Sequence, residues 1–217
     1  MDMKDKVVVV TGAGGGIGSE FVRAFGEAGA VVVGLTREDG DLRRVEDILD
    51  ICSRIKNERG AVDILVNNAG VGVYKDLREV SVSEWNDSMA VNATAPFVLI
   101  KELMPRELVV NIGSGAGVMP FAGRVAYCAS KFALRGMSLS LSEEYEGKKP
   151  VFCLVTLGST MTDFGPLNVE EKRRLQSDGK KYLDAKWVAD EVVRRIVEDE
   201  VEDEIVIYPD EYEKSSN

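Results

Sequence analysis

Residues Val7–Gly18, VVVVTGAGGGIG, decide the fold of this 217-residue chain. Four consecutive valines predict a strand that is buried on both faces, as in a parallel sheet. The glycines that follow permit positive φ angles and put no Cβ atoms between the backbone N–H groups and a bound phosphate. A helix is predicted to begin directly after them, at Ile17. A glycine turn between a first strand and a first helix is typical of dinucleotide-binding folds.

The rest of the chain repeats this alternation of apolar strands and longer helices. We expect strands at Val7–Val10, Val31–Leu35, Val62–Val66, Leu108–Ile112, Val151–Val155 and Ile205–Tyr208. We expect helices at Ile17–Ala28, Leu42–Arg59, Glu84–Pro105, Tyr127–Glu146 and Lys186–Glu198. The pattern predicts an α/β fold, a doubly wound, Rossmann-type parallel sheet of six to seven strands in one domain over residues 1–217. The polar segment 160–185, with a short helix near Glu170–Ser177, is where a substrate lid would lie.

The composition excludes several kinds of site. The chain has no histidine, so it cannot form a Ser-His-Asp triad or a histidine-based zinc site. Its three cysteines lack C-x-x-C spacing and predict neither disulfides nor a metal site. A net charge of -10 disfavours nucleic acid and anionic membranes as partners. No stretch approaches the ~18 apolar residues that span a bilayer, so a cytoplasmic protein is expected.

Without histidine, tyrosine is the natural proton donor, provided that a nearby cation lowers its pKa from about 10. A lysine four residues later on a helix lies on the same face. The chain has three Tyr-x-x-x-Lys pairs. The pair at 145 and 149 lies where a helix is expected to end, and the pair at 182 and 186 begins outside a helix. Only Tyr127 and Lys131 begin an uninterrupted helical stretch, and they are our candidate pair.

Four motifs together resemble those of the short-chain dehydrogenases/reductases, in that family's order and over nearly the whole chain. They are the T-G-x-x-x-G-x-G of Thr11–Gly18, the N-N-A-G of Asn67–Gly70, the helix asparagine Asn92, and Ser114 placed 13 residues before Tyr127. The resemblance implies an oxidoreductase that transfers hydride between a nicotinamide cofactor and a small carbonyl or secondary alcohol substrate.

The resemblance also implies a role for each of four catalytic residues. Tyr127 would protonate the carbonyl oxygen, and Ser114 would hydrogen-bond that oxygen as its charge develops. Lys131 would lower the tyrosine pKa and hold the nicotinamide ribose. Asn92 would anchor a water that relays protons. Two simpler roles stay open, Ser114 as a turn residue only and Asn92 as a group that satisfies a kinked helix.

The end of the second strand favours NADP(H) over NAD(H). Thr36 stands where an acidic residue would bind the adenosine ribose, and Arg37 could pair with a 2′-phosphate. NAD(H) stays possible because the glycine turn contains no basic residue. The expected cofactor contacts are Thr11, Gly12, Gly14, Gly16, Ile17, Gly18, Arg37, Asp41, Leu42, Asn68, Ala69, Gly70, Tyr127, Lys131, Gly158, Thr160 and Thr162. The resemblance implies five of these contacts, namely Asp41, Leu42, Asn68, Gly158 and Thr162.

The chain is shorter than most of the family beside the expected adenine site. Asp41-Leu42 looks like the remnant of a pair that ends the family's third strand, and only three residues separate it from Arg37. A strand-to-strand crossover needs at least about 10–12 residues. We therefore expect the second crossover helix and the third strand to be reduced or absent, which would expose one edge of the sheet.

Two alternatives to an NADP(H)-dependent reductase remain open, an NAD(H)-dependent alcohol dehydrogenase and a non-catalytic NADP(H)-binding regulator. The resemblance implies a homodimer or homotetramer, assembled through the helices expected at 84–105 and 127–146. The sequence does not name the substrate. An apolar pocket wall is suggested by Met119, Phe121, Met161 and Phe164, although such residues more often only pack in a core.

Overall fold

The computed structural model describes residues 1–210, so the last seven residues of the predicted domain lie outside the described residues. Within this range the strands are β1 Val7–Thr11, β2 Val31–Leu35, β3 Ile64–Asn67, β4 Leu108–Ile112, β5 Val151–Leu157 and β6 Glu204–Ile207. They form one parallel sheet in the order β2-β1-β3-β4-β5-β6. The predicted Rossmann-type sheet is confirmed. Its strand order reverses at β1 and β3, whose carboxyl ends border the crevice where such sheets bind ligands.

Seven α-helices accompany the sheet within residues 1–210. They are α1 Gly16–Glu27, α2 Val45–Arg59, α3 Val82–Met89, α4 Ala95–Leu103, α5 Val125–Glu144, α6 Val169–Ser177 and α7 Ala185–Val197. One apolar cluster packs α1 and α7 on one face of the sheet, with Phe21 and Val192 fully buried. A second cluster packs α2 and α4 on the other face, with Ile48 and Leu99 fully buried. The sheet is therefore covered on both sides, as its continuous valine runs predict.

The helix predicted over Glu84–Pro105 is divided in the structure. It begins two residues earlier, because Ser81 and Glu84 form a reciprocal capping box at the start of α3. A π-helical turn, Ala90–Thr94, separates α3 from α4. The helix ends before Pro105, since Met104 adopts a left-handed conformation with φ 39°. The π-helical turn matters for the site, because Asn92 lies within it.

The shortening beside β2 is confirmed. Residues 36–44, between β2 and α2, form two turns joined by irregular backbone, with no helix or strand. β2 is consequently the edge strand, and Val31 in it is 37% exposed.

The segment predicted as a lid leaves the sheet after β5 and contains α6, which confirms the short helix expected near Glu170–Ser177. A bridge between Thr160 and Leu183 closes the segment at its base. Within residues 1–210 no helix has the length and apolar character required to cross a membrane.

Candidate active site

The glycine turn forms an open cradle at the start of α1. Gly12 has φ 68°, and a Cβ there would lie 2.9 Å from Ala69 Cα. A Cβ on Gly18 would overlap the Gly12 carbonyl oxygen. Gly14, like its two successors, is exposed, and no side chain caps the helix at Gly15. The free N–H groups of the first turn thus face a surface without side chains, which suits a diphosphate.

Two residues that are predicted to contact the cofactor, Thr11 and Asn68, support the glycine turn through hydrogen bonds. The buried Thr11 hydroxyl accepts hydrogen bonds from the backbone N–H groups of Asn68 at 3.0 Å and Ala69 at 2.9 Å. The Asn68 side-chain amide donates to the Thr11 carbonyl at 3.0 Å. These bonds tie the end of β1 to the end of β3. The Thr11 hydroxyl therefore shapes the cradle rather than lining its open face.

The adenine side contains one acidic residue that the sequence analysis did not single out. Asp39 accepts a hydrogen bond from the Thr36 N–H at 2.9 Å and forms a salt bridge with Arg54 at 2.7 Å. The hydrogen bond from the Thr36 backbone is the main cause that lowers the Asp39 pKa. Arg37 is exposed, and no salt bridge joins it to another residue between 1 and 210.

The Asp41-Leu42 pair braces the shortened loop. The Arg43 side chain hydrogen-bonds the Asp41 carboxylate and lowers its pKa to about 2. The Asp41 N–H donates to Asp47 at 3.0 Å, and Leu42 packs against the core beside α2. Both side chains therefore contact other residues of the protein: the Asp41 carboxylate binds the Arg43 side chain, and Leu42 packs in the core beside α2.

The structure brings Tyr127 and Ser114 together. Tyr127, in the first turn of α5, is 6% exposed, and the Ser114 side chain lies near enough to influence its pKa. Burial is the largest influence on the Tyr127 pKa and raises it, while the Ser114 side chain and the charge of Arg124 lower it. Ser114 follows β4, and its hydroxyl also accepts from the Ala116 N–H at 3.2 Å. Tyr127 is therefore a neutral phenol near pH 7, ready to donate a proton.

Lys131 lies one helical turn after Tyr127 and is 5% exposed. Its ammonium donates to the Ile112 carbonyl at 2.8 Å, at the end of β4. Burial lowers the Lys131 pKa to about 8. We expected Lys131 to lower the Tyr127 pKa. In this structure the cation that does so is Arg124.

Asn92 ties the loop after β3 to the catalytic helix. Its side-chain oxygen accepts from the Val71 N–H at 2.8 Å, and its amide donates to the Val71 carbonyl and to the Ser130 hydroxyl, each at 2.8 Å. Ser130 in turn donates to the Tyr127 carbonyl at 2.9 Å. Asn92 thus satisfies backbone groups of the loop after β3 rather than of its own helix, and the water relay stays a prediction.

The loop after β5 covers both halves of the site. The methyl group of Thr162 lies 3.4 Å from where a Cβ on Gly16 would stand. The Phe164 ring packs on the Tyr127 ring, with centroids 5.9 Å apart. Gly158 faces away from the cradle, since a Cβ there would meet Pro209. Thr162 and Phe164 therefore form a roof over the glycine turn and the tyrosine.

Sequence reasoning missed the residue that holds this roof. Lys172 is the one buried residue of α6, and its ammonium donates to three carbonyls, those of Thr160 at 3.2 Å, Thr162 at 2.6 Å and Phe164 at 2.7 Å. Burial is the largest influence on its pKa and lowers it. A lysine on a polar helix is normally solvated, so no local pattern indicates this role.

An aromatic group surrounds the tyrosine on the substrate side. The Tyr74 ring centroid lies 5.8 Å from that of Tyr127, and the Phe164 centroid lies 5.9 Å from it. The Arg124 guanidinium lies over the rings of both Tyr74 and Phe121. Of the four residues suggested as an apolar wall, Phe121 and Phe164 have their rings in this group.

Comparison with known proteins agrees with this geometry. Residues 38–172, more than half of the chain, match the family model described as short chain dehydrogenase. A curated relative, the 2,3-dihydro-2,3-dihydroxybenzoate dehydrogenase of Escherichia coli strain K12, is 34% identical over 84% of this chain and 82% of its own length.

The chain belongs to the short-chain dehydrogenase/reductase family.

Solved structures show the same fold with nicotinamide cofactors of both kinds. A metagenomic short-chain oxidoreductase in complex with NADP has a TM-score of 0.78 and 28% identity, over 95% of this chain and 99% of that one. The 4-hydroxyisoleucine dehydrogenase complexed with NADH has a TM-score of 0.83 and 22% identity, over 94% of this chain and 98% of that one. Membership makes the chain an oxidoreductase and leaves the choice between the two cofactors open.

Proposed function

We propose that this protein is an NADP(H)-dependent oxidoreductase that interconverts a carbonyl compound and its secondary alcohol, with Tyr127 as general acid and base. The observation that carries the proposal is the buried Tyr127, whose pKa the neighbouring Ser114 side chain lowers, with the buried Lys131 one helical turn further along α5. The glycine turn at Gly12–Gly16, whose largest side chain is the Ala13 methyl group, offers the start of α1 to a diphosphate.

Each polar residue of the site has a separate role in the proposed reaction. The cofactor, when bound, supplies or accepts the hydride. In the reductive direction the neutral Tyr127 phenol donates its proton to the carbonyl oxygen, and Ser114 hydrogen-bonds the same oxygen as negative charge develops. Lys131 holds positive charge beside the reacting groups, and Asn92 with Ser130 fixes the start of α5. In the oxidative direction Tyr127 acts as the base.

The preference for NADP(H) rests on Arg37, which is exposed beside the cradle and has no salt-bridge partner within residues 1–210. The Asp39 charge, which would repel a 2′-phosphate, is compensated by Arg54. Matched fluorescence titrations of the purified chain with NADPH and NADH measure the two dissociation constants. Tighter binding of NADPH supports the preference, and tighter binding of NADH favours the alcohol dehydrogenase alternative.

Replacement of Tyr127 by Phe tests the mechanism. Loss of general acid catalysis predicts a fall in kcat of about 10³-fold, with little change in NADPH affinity, because the ring that packs against Tyr74 and Phe164 is retained. Steady-state kinetics on a panel of ketones and aldehydes measures the effect. Tyr145→Phe is the matched control, since Tyr145 belongs to another Tyr-x-x-x-Lys pair and lies just past the end of α5.

A Tyr127→Phe enzyme that works at the wild-type rate would disprove the role of the hydroxyl. Tight NADPH binding without turnover of any substrate in the panel would favour the non-catalytic regulator instead. Two parts of the proposal rest on the sequence alone. They are assembly into a homodimer or homotetramer through α3, α4 and α5, which cover the helices expected at 84–105 and 127–146, and a cytoplasmic location.

A further inference from the structure

Arg124 differs from most arginines of this acidic protein. Arg23, Arg43 and Arg135 each form a salt bridge with a carboxylate. Arg124 is partly buried, and within residues 1–210 no carboxylate lies in salt-bridge contact with it and no acceptor takes a hydrogen bond from its guanidinium. In a chain with a net charge of -10, an arginine without a carboxylate at this position calls for an explanation.

The contacts of Arg124 are aromatic. The guanidinium carbon lies 5.4 Å from the ring centroid of Tyr74 and 5.0 Å from that of Phe121. Such stacking uses the flat face of the guanidinium and leaves its in-plane N–H groups able to form bidentate hydrogen bonds. The rings hold the cation in place, and its donors stay available.

Arg124 is also close to the reacting group. It is the residue directly before α5, three positions before Tyr127, and the Tyr74 ring beneath it packs on the Tyr127 ring. Its charge lowers the pKa of both tyrosines, which is the effect of a nearby cation. Two exposed apolar rings border the same group: Phe121, 39% exposed, lies under the Arg124 guanidinium, and Phe164, 44% exposed, packs on the Tyr127 ring.

We propose that Arg124 binds an anionic group of the substrate, so that the substrates are oxo acids or hydroxy acids in which an apolar segment joins the reacting carbon to a carboxylate. The carboxylate would take bidentate hydrogen bonds from the guanidinium, while the apolar segment lies against Phe121 and Phe164. This inference rests on the proposed function, because it assigns the substrate class of the same site.

The decisive measurement compares acids with their own esters. 4-Oxopentanoate and 5-oxohexanoate, and the ethyl ester of each, have the same reacting carbonyl and differ in charge. The wild-type enzyme with NADPH is expected to show kcat/KM about tenfold to hundredfold higher for the acid, since hydrogen bonds between charged groups have about that effect. Arg124→Met should remove this ratio, and Arg124→Lys should restore part of it.

The matched control is Arg59→Met, which makes the same charge change at an exposed residue in the last turn of α2 and should leave the acid-to-ester ratio unchanged. A purely structural Arg124, acting as a brace between two rings, would lower both rates together and leave the ratio as it is. A wild-type enzyme that shows no preference for the acid, or a preference that survives Arg124→Met, would overturn the proposal.

A binding measurement separates this inference from the proposed function. Calorimetric titration with 5-hydroxyhexanoate, in the presence of NADP⁺, requires no turnover. Binding to the wild type that weakens at least tenfold in Arg124→Met and not in Arg59→Met supports the anion site even if every ketone fails as a substrate. Equal affinities in the wild type and Arg124→Met refute it even if neutral ketones are reduced.

Discussion

At the residue scale, the site is defined by two buried titratable groups whose pKa values move in opposite directions. Burial raises the pKa of Tyr127 and lowers that of Lys131, because in both cases it disfavours the charged form. The tyrosine is thereby held as a proton donor near neutral pH. The lysine, with a pKa of about 8, is largely charged there despite its burial.

The buried charge of Lys131 should consequently destabilise the folded protein at neutral pH. Its pKa falls from about 10.5 in the unfolded chain to about 8 in the fold, so the unfolded chain binds one more proton between these values. The free energy of unfolding is therefore unaffected by Lys131 well above about pH 10.5, and it decreases as the pH falls from there to about 8. Lys131→Met should therefore raise the free energy of unfolding by about 2 kcal/mol at pH 7, after allowance for the lost bond to Ile112, and abolish turnover.

Urea unfolding of the wild type and Lys131→Met at pH 7 and pH 10.5 measures this effect. The difference between the two proteins should shrink toward the higher pH, where Lys131 is uncharged in the fold and only about half charged in the unfolded chain. A variant less stable than the wild type at pH 7 would show that the ammonium contributes more through its hydrogen bond than burial costs it.

At the scale of elements, the loop after β5 and α6 behave as one unit because a single ammonium joins them. The three carbonyls that accept from Lys172 belong to alternate residues of the loop, from Thr160 to Phe164. All three ammonium hydrogens are thereby used. The same loop places Thr162 against Gly16 and Phe164 against Tyr127, so it links α6 to both the glycine turn and the tyrosine.

Replacement of Lys172 by Met should release the roof. Three carbonyls, two of them in buried hydrogen bonds, lose their donor. We expect faster proteolytic cleavage within 160–185 and about tenfold weaker NADPH binding. Limited proteolysis and fluorescence titration measure the two effects. Arg173→Ala, at an exposed position of the same helix, should behave like the wild type. Wild-type cleavage and affinity in Lys172→Met would show that the loop is held by its other contacts.

At the scale of the whole molecule, large apolar side chains remain on the outer surface. Phe97 of α4 is 51% exposed and Phe132 of α5 is 45% exposed. These are the helices that the family resemblance assigns to assembly. Exposed aromatic side chains of this size are enriched in interfaces between subunits.

Phe132→Glu should therefore dissociate the assembled protein into monomers, because a carboxylate would be buried without a partner in the interface. Sedimentation velocity measures the molar mass in solution. Leu77→Glu, the same kind of change at a loop residue that is 71% exposed, should leave the assembly intact. A wild-type protein that sediments as a monomer would contradict the predicted homodimer or homotetramer.

The sequence by itself determined the sheet, the glycine turn and the position of Lys131 one helical turn after Tyr127. These features depend on local periodicity and on spacing within one helix, which a chain carries in its residue order. Even the shortened crossover after Arg37 was predictable, since three residues are too few to build a helix and a strand.

Only the tertiary structure decided what the buried polar groups do. The Thr11 hydroxyl binds the N–H groups of a loop 57 and 58 residues away, and Arg124 stacks on Tyr74, which is distant in the sequence. The sequence pattern of α6 predicts a solvated Lys172. The residue is buried because the loop after β5 folds around its ammonium. The physical reason is the same in each case: a polar group leaves water only where a partner from another segment replaces the lost hydrogen bonds or charge contacts, and local sequence does not specify that partner.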